Sequence, residues 1–403
     1  MTSLSRVSPL LLIGLLSACG SSASADTGAS SGGGAGLAGA GGDAASAGVG
    51  GAVSGGAGGA GGAGTGGLGA GGLGAEGGTG GLEACAAIPT CGAPPPDPGP
   101  KRDWRHSITS PLVVNTGFAN LRGRDLFLTE ADDQWVIGKV AYGVTDKDLK
   151  DEEVDIWLLR DCAGTQADDW EFLGTAITTQ DNMHATVEGV DDSGGRVYFQ
   201  IPTDKRLGPG RHRLRLVVAG DHSTADLYIE VLPSGQKVFA TDVDGTLTTK
   251  ENEEFTALLT GTLPNVNSGA PEALRAIAQR GYRPFYLTAR PEFLVGRTRE
   301  FLEVYGFPPG IVHTTTTLTG ATGNAAVDYK LAELDATYAK GFPVFYAFGN
   351  TASDAEAFAS AGVADGQRLT YQFTDSSFGC TRFDDYSALV PTLSALPLAC
   401  LYW

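Results

Sequence analysis

The stretch that decides the fold of the C-terminal half is Lys237-Val238-Phe239-Ala240-Thr241-Asp242-Val243-Asp244-Gly245-Thr246. A short apolar run, typical of a buried strand, ends in two carboxylates that lie two residues apart. If the strand geometry continues, Asp242 and Asp244 point the same way, and Gly245 lets the backbone turn tightly after them. Two like charges so close together are costly unless a cation neutralises them, and Mg²⁺ prefers oxygen ligands. The stretch therefore predicts a magnesium site at the end of a strand.

Strands and helices alternate along the chain that follows. Arg283 to Leu287 and Phe342 to Phe348 have the apolar composition of strands, whereas Glu272 to Gln279, Glu292 to Val304 and Ser353 to Ser360 have helical patterns. Such alternation indicates a parallel sheet with crossover helices, in which ligands bind beyond the carboxyl ends of the strands. We therefore expect an α/β domain of Rossmann-like topology.

Three later segments carry further candidate site residues. Thr288 ends a strand in Tyr286-Leu287-Thr288-Ala289-Arg290-Pro291, and Lys330 lies in Asp328-Tyr329-Lys330-Leu331. Asn350 and Asp354 follow another apolar strand, in Gly349-Asn350-Thr351-Ala352-Ser353-Asp354. Each segment alone is a weak signal, but together with the Asp242 stretch they resemble the four ordered motifs of the haloacid dehalogenase superfamily. The resemblance implies an α/β haloacid dehalogenase-like fold with a minimal cap.

The resemblance also implies catalytic roles. Asp242 would attack phosphorus and form an aspartyl-phosphate, which splits one displacement into two. Asp244 would protonate the leaving oxygen and then activate water. Thr288 and Lys330 would contact phosphoryl oxygens.

Ligand roles follow from the same resemblance. A Mg²⁺ cofactor would be bound by the first-motif acids and the last motif, that is by Asp242, Val243 (through its carbonyl oxygen), Asp244 and Asp354. Substrate binding would involve Gly245, Thr246, Arg290 and Asn350. For Arg290, bidentate phosphate binding and a structural ion pair are equally compatible with the sequence.

Finer details resemble a narrower group. Residues 240–248, 287–291 and 348–354 are similar to the LNS2 domain that ends the lipins, which are phosphatidate phosphatases. The same domain closes the membrane-associated phosphatidylinositol transfer proteins of the retinal degeneration B type, and the similarity to those continues upstream through Gly220-Asp221-His222-Ser223. The transfer proteins have lost a catalytic Asp of the first motif, whereas this chain keeps both, as lipins do. One departure is Thr351, where lipins have Arg.

The resemblance implies a Mg²⁺-dependent phosphohydrolase that acts on phosphatidic acid or a related phospholipid. A non-catalytic phosphatidic acid-binding module and a phosphatase for soluble phosphate esters are the alternatives. Only about 40 residues separate Thr246 from Thr288, which leaves room for one helix but not for a lid domain. An open site suits a headgroup that a bilayer presents.

Residues 104–235 have a different pattern. Side chains alternate between apolar and polar at 214–218 and 227–231, with glycine-rich turns between such runs, which predicts an all-β, sandwich-like domain. The acid-rich stretch 146–153 lacks the ligand spacing of an EF-hand and is predicted as a solvated loop rather than a calcium site. The α/β domain is predicted to occupy residues 236–403.

The N-terminus has the pattern of an export signal. Arg6 precedes the apolar run Leu10 to Leu16, and Leu16-Ser17-Ala18-Cys19 resembles a bacterial lipobox. The resemblance implies a lipoprotein signal peptide over residues 1–19, lipidation of Cys19 and a bacterial cell-envelope location, with the outer membrane favoured. An ordinary secretory signal with an incidental cysteine is the alternative. Residues 20–103 are predicted as a disordered Gly/Ala/Ser-rich tether that ends in a proline-rich hinge.

Cysteines and charge limit the remaining possibilities. Cys85 with Cys91 is a predicted disulfide and Cys380 with Cys400 a second one, which leaves Cys162 unpaired, although spacing alone does not fix connectivity. The 5 scattered histidines argue against a zinc site. A formal net charge of −18 argues against nucleic acid as a partner. We expect phospholipid and a membrane as partners instead, the membrane being reached through the N-terminal lipid.

Overall fold

The computed structural model describes residues 84–251 and 262–401. Cys19, the predicted signal peptide and most of the predicted tether therefore lie outside the described residues. Within those two ranges, the helices are all too short or too polar to cross a bilayer.

A β-sandwich forms the first folded region. Its elements are α1 (Thr109–Val114), β1 (Arg122–Gly123), β2 (Leu126–Leu128), β3 (Trp135–Lys139), β4 (Ala141–Tyr142), β5 (Lys147–Asp148), β6 (Glu153–Leu159), β7 (Glu171–Ile177), β8 (Arg196–Gln200), β9 (Gly210–Val218) and β10 (Thr224–Val231). One sheet has the strand order β2-β10-β9-β6-β7 and the other the order β1-β3-β8, while β4 and β5 form a separate ribbon. All neighbours are antiparallel except β2 and β10.

The apolar alternation of β9 and β10 builds the core between the sheets. Leu214 lies opposite Leu227 in the antiparallel register, and both are fully buried. In the facing sheet, a Cβ atom at Gly138 would stand 2.4 Å from Cδ1 of Leu216, so only glycine allows the sheets to approach this closely. The prediction of a β-sandwich is confirmed.

A parallel sheet with flanking helices forms the second region. Its elements are β11 (Val238–Thr241), α2 (Ala270–Gln279), β12 (Arg283–Leu287), α3 (Val295–Val304), β13 (Ile311–His313), α4 (Asn324–Ala339), β14 (Val344–Gly349), α5 (Ala352–Ser360), β15 (Arg368–Tyr371), β16 (Thr381–Phe383) and α6 (Val390–Ser394). The strand order is β13-β12-β11-β14-β15-β16, and every pair is parallel. A β-sandwich followed by a parallel α/β domain is the predicted order.

Strand β11 lies in the middle of this sheet, between β12 and β14. All of its residues are buried, as expected for a central strand whose side chains are apolar on both faces. The carboxyl end of β11 therefore opens between two neighbouring strand ends, which is the place where parallel sheets form ligand sites.

The structure differs from the predicted tether at its C-terminal end. Residues 84–103 pack against the folded chain: Trp170 Nε1 donates to the carbonyl oxygen of Pro94 at 2.7 Å, and Arg213 donates to that of Cys91 at 2.8 Å. Disulfides hold this segment in place, which composition alone does not reveal.

Both predicted disulfide pairings are wrong. The bonds join Cys85 to Cys400 and Cys91 to Cys162, and Cys380 is a free thiol. Cysteines that are near in sequence lie apart here, because the 84–103 segment runs along both domains and meets a different partner in each. Cys162, predicted to be unpaired, is one of those partners.

The acid-rich stretch 146–153 is not simply a solvated loop. Asp146 is buried and accepts hydrogen bonds from both terminal nitrogens of Arg122, each at 2.6 Å. Glu152 is also buried and accepts a hydrogen bond from the Ser110 hydroxyl at 2.6 Å. These acids serve the packing of the sandwich.

Candidate active site

Strand ends bring most of the predicted site residues together. Asp242 follows β11, Thr288 follows β12 and Asn350 follows β14, while Asp354 lies in the first turn of α5. Lys330 reaches the same place from α4. These residues therefore lie together at the carboxyl edge of the parallel sheet.

Lys330 is shared by two carboxylates. Its ammonium group donates to Oδ1 of Asp242 at 2.7 Å and to Oδ1 of Asp354 at 2.5 Å. All three side chains are almost completely buried. We call Asp242, Lys330 and Asp354 the Lys330 cluster. It contains two acids and one base, so it has an excess of negative charge.

This imbalance shifts the pKa values of the cluster. Burial raises the pKa of Asp242 to about 8, since Lys330 only partly offsets the effects of desolvation and of the nearby carboxylates Asp354 and Asp244. Burial lowers the pKa of Lys330, but Asp242 and Asp354 outweigh that effect and hold it above its ordinary value. Additional positive charge would stabilise Asp242 in its ionised form.

Asp354 is fixed by its own helix. Its Oδ2 atom accepts hydrogen bonds from the backbone N–H groups of Asn350 and Thr351, at 3.0 and 3.1 Å, and from the Thr351 hydroxyl at 2.8 Å. Thr351 also caps the N-terminus of α5. Threonine at this position, where lipins have Arg, therefore has a capping role and leaves Oδ1 of Asp354 directed at Lys330.

Asp244 has a different partner. Arg290 binds it bidentately, with Nε at 2.8 Å from Oδ2 and Nη2 at 2.7 Å from Oδ1, and the Thr288 hydroxyl donates to Oδ2 at 3.3 Å. Arg290 is buried and also donates to the Thr298 hydroxyl at 2.8 Å. In this arrangement the Asp244 carboxylate pairs with a cation of the protein, so Arg290 competes with its predicted role as a metal ligand.

Val243 is also unsuited to its predicted role. Its carbonyl oxygen accepts hydrogen bonds from the backbone N–H groups of Leu247 and Thr248, at 2.8 and 3.0 Å. A carbonyl oxygen has two lone pairs, and the turn after the strand uses both. The backbone can make this turn because Gly245 has a φ of +70°.

The remaining predicted residues form the rim of the site. The Thr246 hydroxyl donates to Oδ1 of Asn350 at 2.7 Å and lies 3.4 Å from Oδ2 of Asp242. Asn350 also donates to Glu251, which the sequence did not single out. Burial raises the pKa of Glu251.

Other contributors were also missed. Asn267 donates to the carbonyl oxygens of Thr246 and Thr248, at 2.7 and 2.9 Å, and so braces the turn after β11 from a distant segment. Thr298 supports Arg290 from α3. Neither residue lies in a motif, and only the folded chain brings them near the site.

The site fits a hard divalent ion in part. In residues 84–251 and 262–401, no group of three or more His, Cys, Asp or Glu side chains is placed to hold a metal. However, Mg²⁺ commonly uses one or two carboxylates together with waters and substrate phosphate. Asp242 and Asp354 both contact Lys330, and among residues 84–251 and 262–401 the one side-chain contact of Asp242 Oδ2 is the long one to Thr246. A divalent ion beside this pair would supply the positive charge that full ionisation of both carboxylates requires.

Comparison with known proteins matches both folded regions. Residues 119–231 match the model of the β-sandwich domain of PITM 1-3, and residues 238–371 match that of the LNS2 domain of the same proteins. The two regions are PITM-type β-sandwich and LNS2 domains. The resemblance predicted from the sequence motifs is confirmed, and the order of the two domains is the same.

The curated relatives are much longer than the matched part. Protein retinal degeneration B of Drosophila melanogaster is 29% identical over 214 residues, which is 53% of this chain and 15% of that protein. Membrane-associated phosphatidylinositol transfer protein 2 of Mus musculus is 31% identical over 214 residues, 53% of this chain and 14% of that protein. The chain thus covers only a small part of these relatives.

Solved structures add little. The "Structure of Pnkp1/Rnl/Hen1 complex" aligns with a TM-score of 0.28 at 14% identity and covers 37% of this chain and 54% of that one. A similarity this loose supports no conclusion about the LNS2 domain.

The localisation predicted from the N-terminus is contradicted by these relatives. They are proteins of fly, mouse and human, the mouse and human ones being named as membrane-associated phosphatidylinositol transfer proteins, and not bacterial lipoproteins of the cell envelope. The lipobox-like cysteine, Cys19, is outside both the matched and the described residues.

Proposed function

We propose that this chain is a Mg²⁺-dependent phosphohydrolase of the haloacid dehalogenase type, and that phosphatidic acid or a related phospholipid is its substrate. The observation that carries the proposal is the Lys330 cluster, in which a buried Asp at a central strand end has too little positive charge around it. A phosphoryl-transfer site needs such a carboxylate as nucleophile and cations around the transferring group.

In the first step, an oxygen of Asp242 attacks phosphorus while the bond from phosphorus to the leaving oxygen breaks. Asp244 supplies the proton that the leaving oxygen takes up. In the second step, Asp244 accepts a proton from water as the water oxygen attacks phosphorus, and the bond to Asp242 breaks to release phosphate. Lys330 keeps Asp242 oriented and stabilises charge on the phosphoryl oxygens.

Binding of the substrate phosphate at Arg290 would make Asp244 available for proton transfer. Both oxygens of Asp244 accept from Arg290 in the present arrangement, and an acid that donates a proton must leave that pairing. A phosphate group is an equally good bidentate partner for guanidinium. We infer that the substrate phosphate takes over the Arg290 donors and releases Asp244 for proton transfer.

Asp242 and Asp354 are the residues that would hold Mg²⁺, while Arg290 holds the carboxylate of Asp244. The ion would neutralise charge on the transferring phosphoryl group.

A phospholipid substrate is favoured by the kind of relatives that share both domains. These relatives are named as membrane-associated phosphatidylinositol transfer proteins. The presence of both Asp242 and Asp244 favours turnover over binding alone, because the two carboxylates can divide the nucleophile and proton-transfer roles.

The decisive experiment measures phosphate release by the full chain from phosphatidic acid in mixed micelles, with Mg²⁺ or with EDTA. We expect release only with Mg²⁺ and no release by Asp242→Asn, which keeps the size of the side chain but removes the nucleophile. Equal rates for the wild type and Asp242→Asn would rule out the aspartyl-phosphate route.

The same experiment separates the alternatives. A panel of soluble phosphate esters hydrolysed faster than micellar phosphatidic acid would identify a soluble-substrate phosphatase. Co-sedimentation with phosphatidic acid vesicles that survives Asp242→Asn, without any phosphate release, would identify a binding module. The second outcome is the competing function, since the relatives are named as transfer proteins.

A further inference from the structure

A second buried charge cluster joins the β-sandwich to the site loop. Glu292 follows β12 and accepts two hydrogen bonds from Arg196 of β8. Nη1 donates to Oε1 at 2.5 Å and Nη2 donates to Oε2 at 3.2 Å. Arg122 of β1 donates to the same Oε2 at 3.1 Å, and it also binds Asp146. We call Arg122, Asp146, Arg196 and Glu292 the junction cluster.

The junction cluster is buried and balanced. The side chains of Arg122 and Arg196 are each 3% exposed, and that of Glu292 is 13% exposed. Two guanidinium groups meet two carboxylates, so the buried charges are fully paired. Such pairing in fixed, forked geometry restricts the position of Glu292 much more than a surface ion pair would.

Glu292 is only two residues away from Arg290. The intervening Pro291 has its φ locked by its ring and adopts φ −54° and ψ 146°, so little freedom separates the two side chains. Arg290 in turn holds Asp244, and Thr288 lies two residues before it. The position of Glu292 therefore helps to fix the conformation of residues 288–292, which form the predicted phosphate-binding loop.

Other residues of the sandwich also form hydrogen bonds with elements near the site. Arg124 donates to the carbonyl oxygen of Thr314 at 3.1 Å, in the loop whose Thr315 N–H bonds to the carbonyl oxygen of Arg290. Asp125 accepts from the backbone N–H of Val312 at 2.9 Å and from Arg299 at 2.7 Å. Residues 122–125 of the sandwich thus contact several elements that frame the site.

We propose that Glu292 is a positioning residue, through which Arg122 and Arg196 of the β-sandwich hold the 288–292 loop in its active geometry. The β-sandwich is then a working part of the site and not only a neighbouring module. This inference rests on the proposed phosphohydrolase function for its kinetic test, but its structural test is independent of turnover.

The test compares two isosteric substitutions in the full chain. Glu292→Gln keeps the shape of the side chain and removes the charge that the two arginines hold. Glu188→Gln does the same to another sandwich residue, which binds Lys340 at the far end of α4, ten residues from Lys330. Both variants weaken the domain junction, but only the first is near the loop.

Two measurements are made on each variant. We expect Glu292→Gln to lower kcat for phosphate release about 10-fold with KM within about twofold, because small displacements of positioned groups are costly to rate. Amide hydrogen exchange in peptides that cover residues 288–292 should be at least about fivefold faster than in the wild type, since the loop loses its anchor. Glu188→Gln should match the wild type in both measurements.

Arg196→Lys provides a graded check, and it covers the case that Glu292→Gln fails to fold. It keeps the charge but cannot make the forked contact, so its kcat and loop exchange should lie between those of the wild type and Arg196→Met. Unchanged exchange and unchanged kcat in Glu292→Gln would overturn the proposal, and so would equal effects in Glu188→Gln. If the wild type releases no phosphate, the function proposed above fails, and hydrogen exchange alone decides the role of Glu292.

Discussion

Two buried charge clusters lie next in sequence to the Asp244–Arg290 pair, one through Asp242 and the other through Glu292, and they differ in balance. The Lys330 cluster has two carboxylates and one ammonium group, whereas the junction cluster has two carboxylates and two guanidinium groups. Both are built from side chains that are almost withdrawn from water. In the first cluster, both acids can be fully ionised only if a ligand supplies further positive charge, and the pKa of Asp242 is raised to about 8 without it.

The difference in charge balance suggests different roles for the two clusters. An uncompensated buried charge is expensive, and it persists where a ligand provides the missing counter-charge. A balanced cluster needs no ligand and can serve to fix two elements relative to each other. We therefore propose chemistry for the Lys330 cluster and positioning for the junction cluster. Substitutions that change the balance of either cluster can break this assignment.

The largest effect is expected when the Lys330 cluster loses its cation. Lys330→Met leaves Asp242 and Asp354 without a positive partner, so phosphate release should fall by at least about 1,000-fold. In EDTA the free energy of unfolding should drop by about 3–5 kcal/mol, as for other broken buried pairs. Mg²⁺ should restore part of that stability, because it replaces the missing charge, but not the activity. Urea unfolding in EDTA and in Mg²⁺ measures the loss of stability and its partial recovery.

Lys340→Met is the matched control, because it removes another lysine of the same helical segment with one acidic partner, Glu188. Its stability should not respond to Mg²⁺ more than that of the wild type. If Lys330→Met is as stable as the wild type in EDTA, the Lys330 cluster does not have the unbalanced charge that we attribute to it.

A smaller effect is expected at Arg290. Arg290→Lys keeps the charge but cannot bind Asp244 with two parallel N–H donors. If Arg290 passes from Asp244 to the substrate phosphate, kcat should fall about 10- to 100-fold. The free energy of unfolding should fall by about 1–3 kcal/mol, because a buried forked pair is weakened. Steady-state phosphate release and urea unfolding measure the two quantities. Arg275→Lys, at an exposed pair with Glu272 on α2, is the control and should behave as the wild type.

Full activity in Arg290→Lys would contradict the transfer of Arg290 from Asp244 to substrate. It would leave Arg290 as a structural partner of Asp244, which is the second role that the sequence allowed.

The sequence predicted those parts of the molecule that local pattern determines. The apolar run 238–241 predicted a central strand, and period-two alternation in 214–218 predicted a sandwich strand. Polar residues at strand ends predicted a common site, because parallel strands end at one edge of a sheet. Asp242 and Asp354 meet at Lys330, which reaches them from helix α4.

Long-range partners could not be predicted. Arg196 and Glu292 are 96 positions apart, and Cys85 and Cys400 are 315 positions apart, so no local spacing relates them. The same limit applies to Asp244. Its spacing from Asp242 suggested a shared metal, but the choice between a metal and Arg290 depends on where the loop after β12 returns.

The smallest effect on activity is expected at Glu333, where carboxylate and cations are well matched. Burial raises the pKa of Glu333, but Arg124 and His313 outweigh it and hold it at about 2. His313 Nδ1 lies 2.7 Å from Oε2 of Glu333, and Arg124 connects the same carboxylate to the sandwich. Glu333→Gln should leave kcat within about twofold, because the side chain supports the junction and does not face the Lys330 cluster.

Its effect on stability should depend on pH in a defined direction. The folded-state pKa of about 2 is below the ordinary value of 4.5, so between these values the unfolded chain binds more protons than the folded one. The stabilisation by ionised Glu333, about 3 kcal/mol, is therefore complete above pH 4.5 and is lost as the pH falls toward 2. Urea unfolding of the wild type and Glu333→Gln at pH 7, 5, 4 and 3 should give curves that converge in acid. Glu300→Gln, at an exposed position of α3, should show no such convergence. A gap between wild type and Glu333→Gln that stays constant from pH 7 to 3 would mean that Glu333 supports the junction by shape and not by charge.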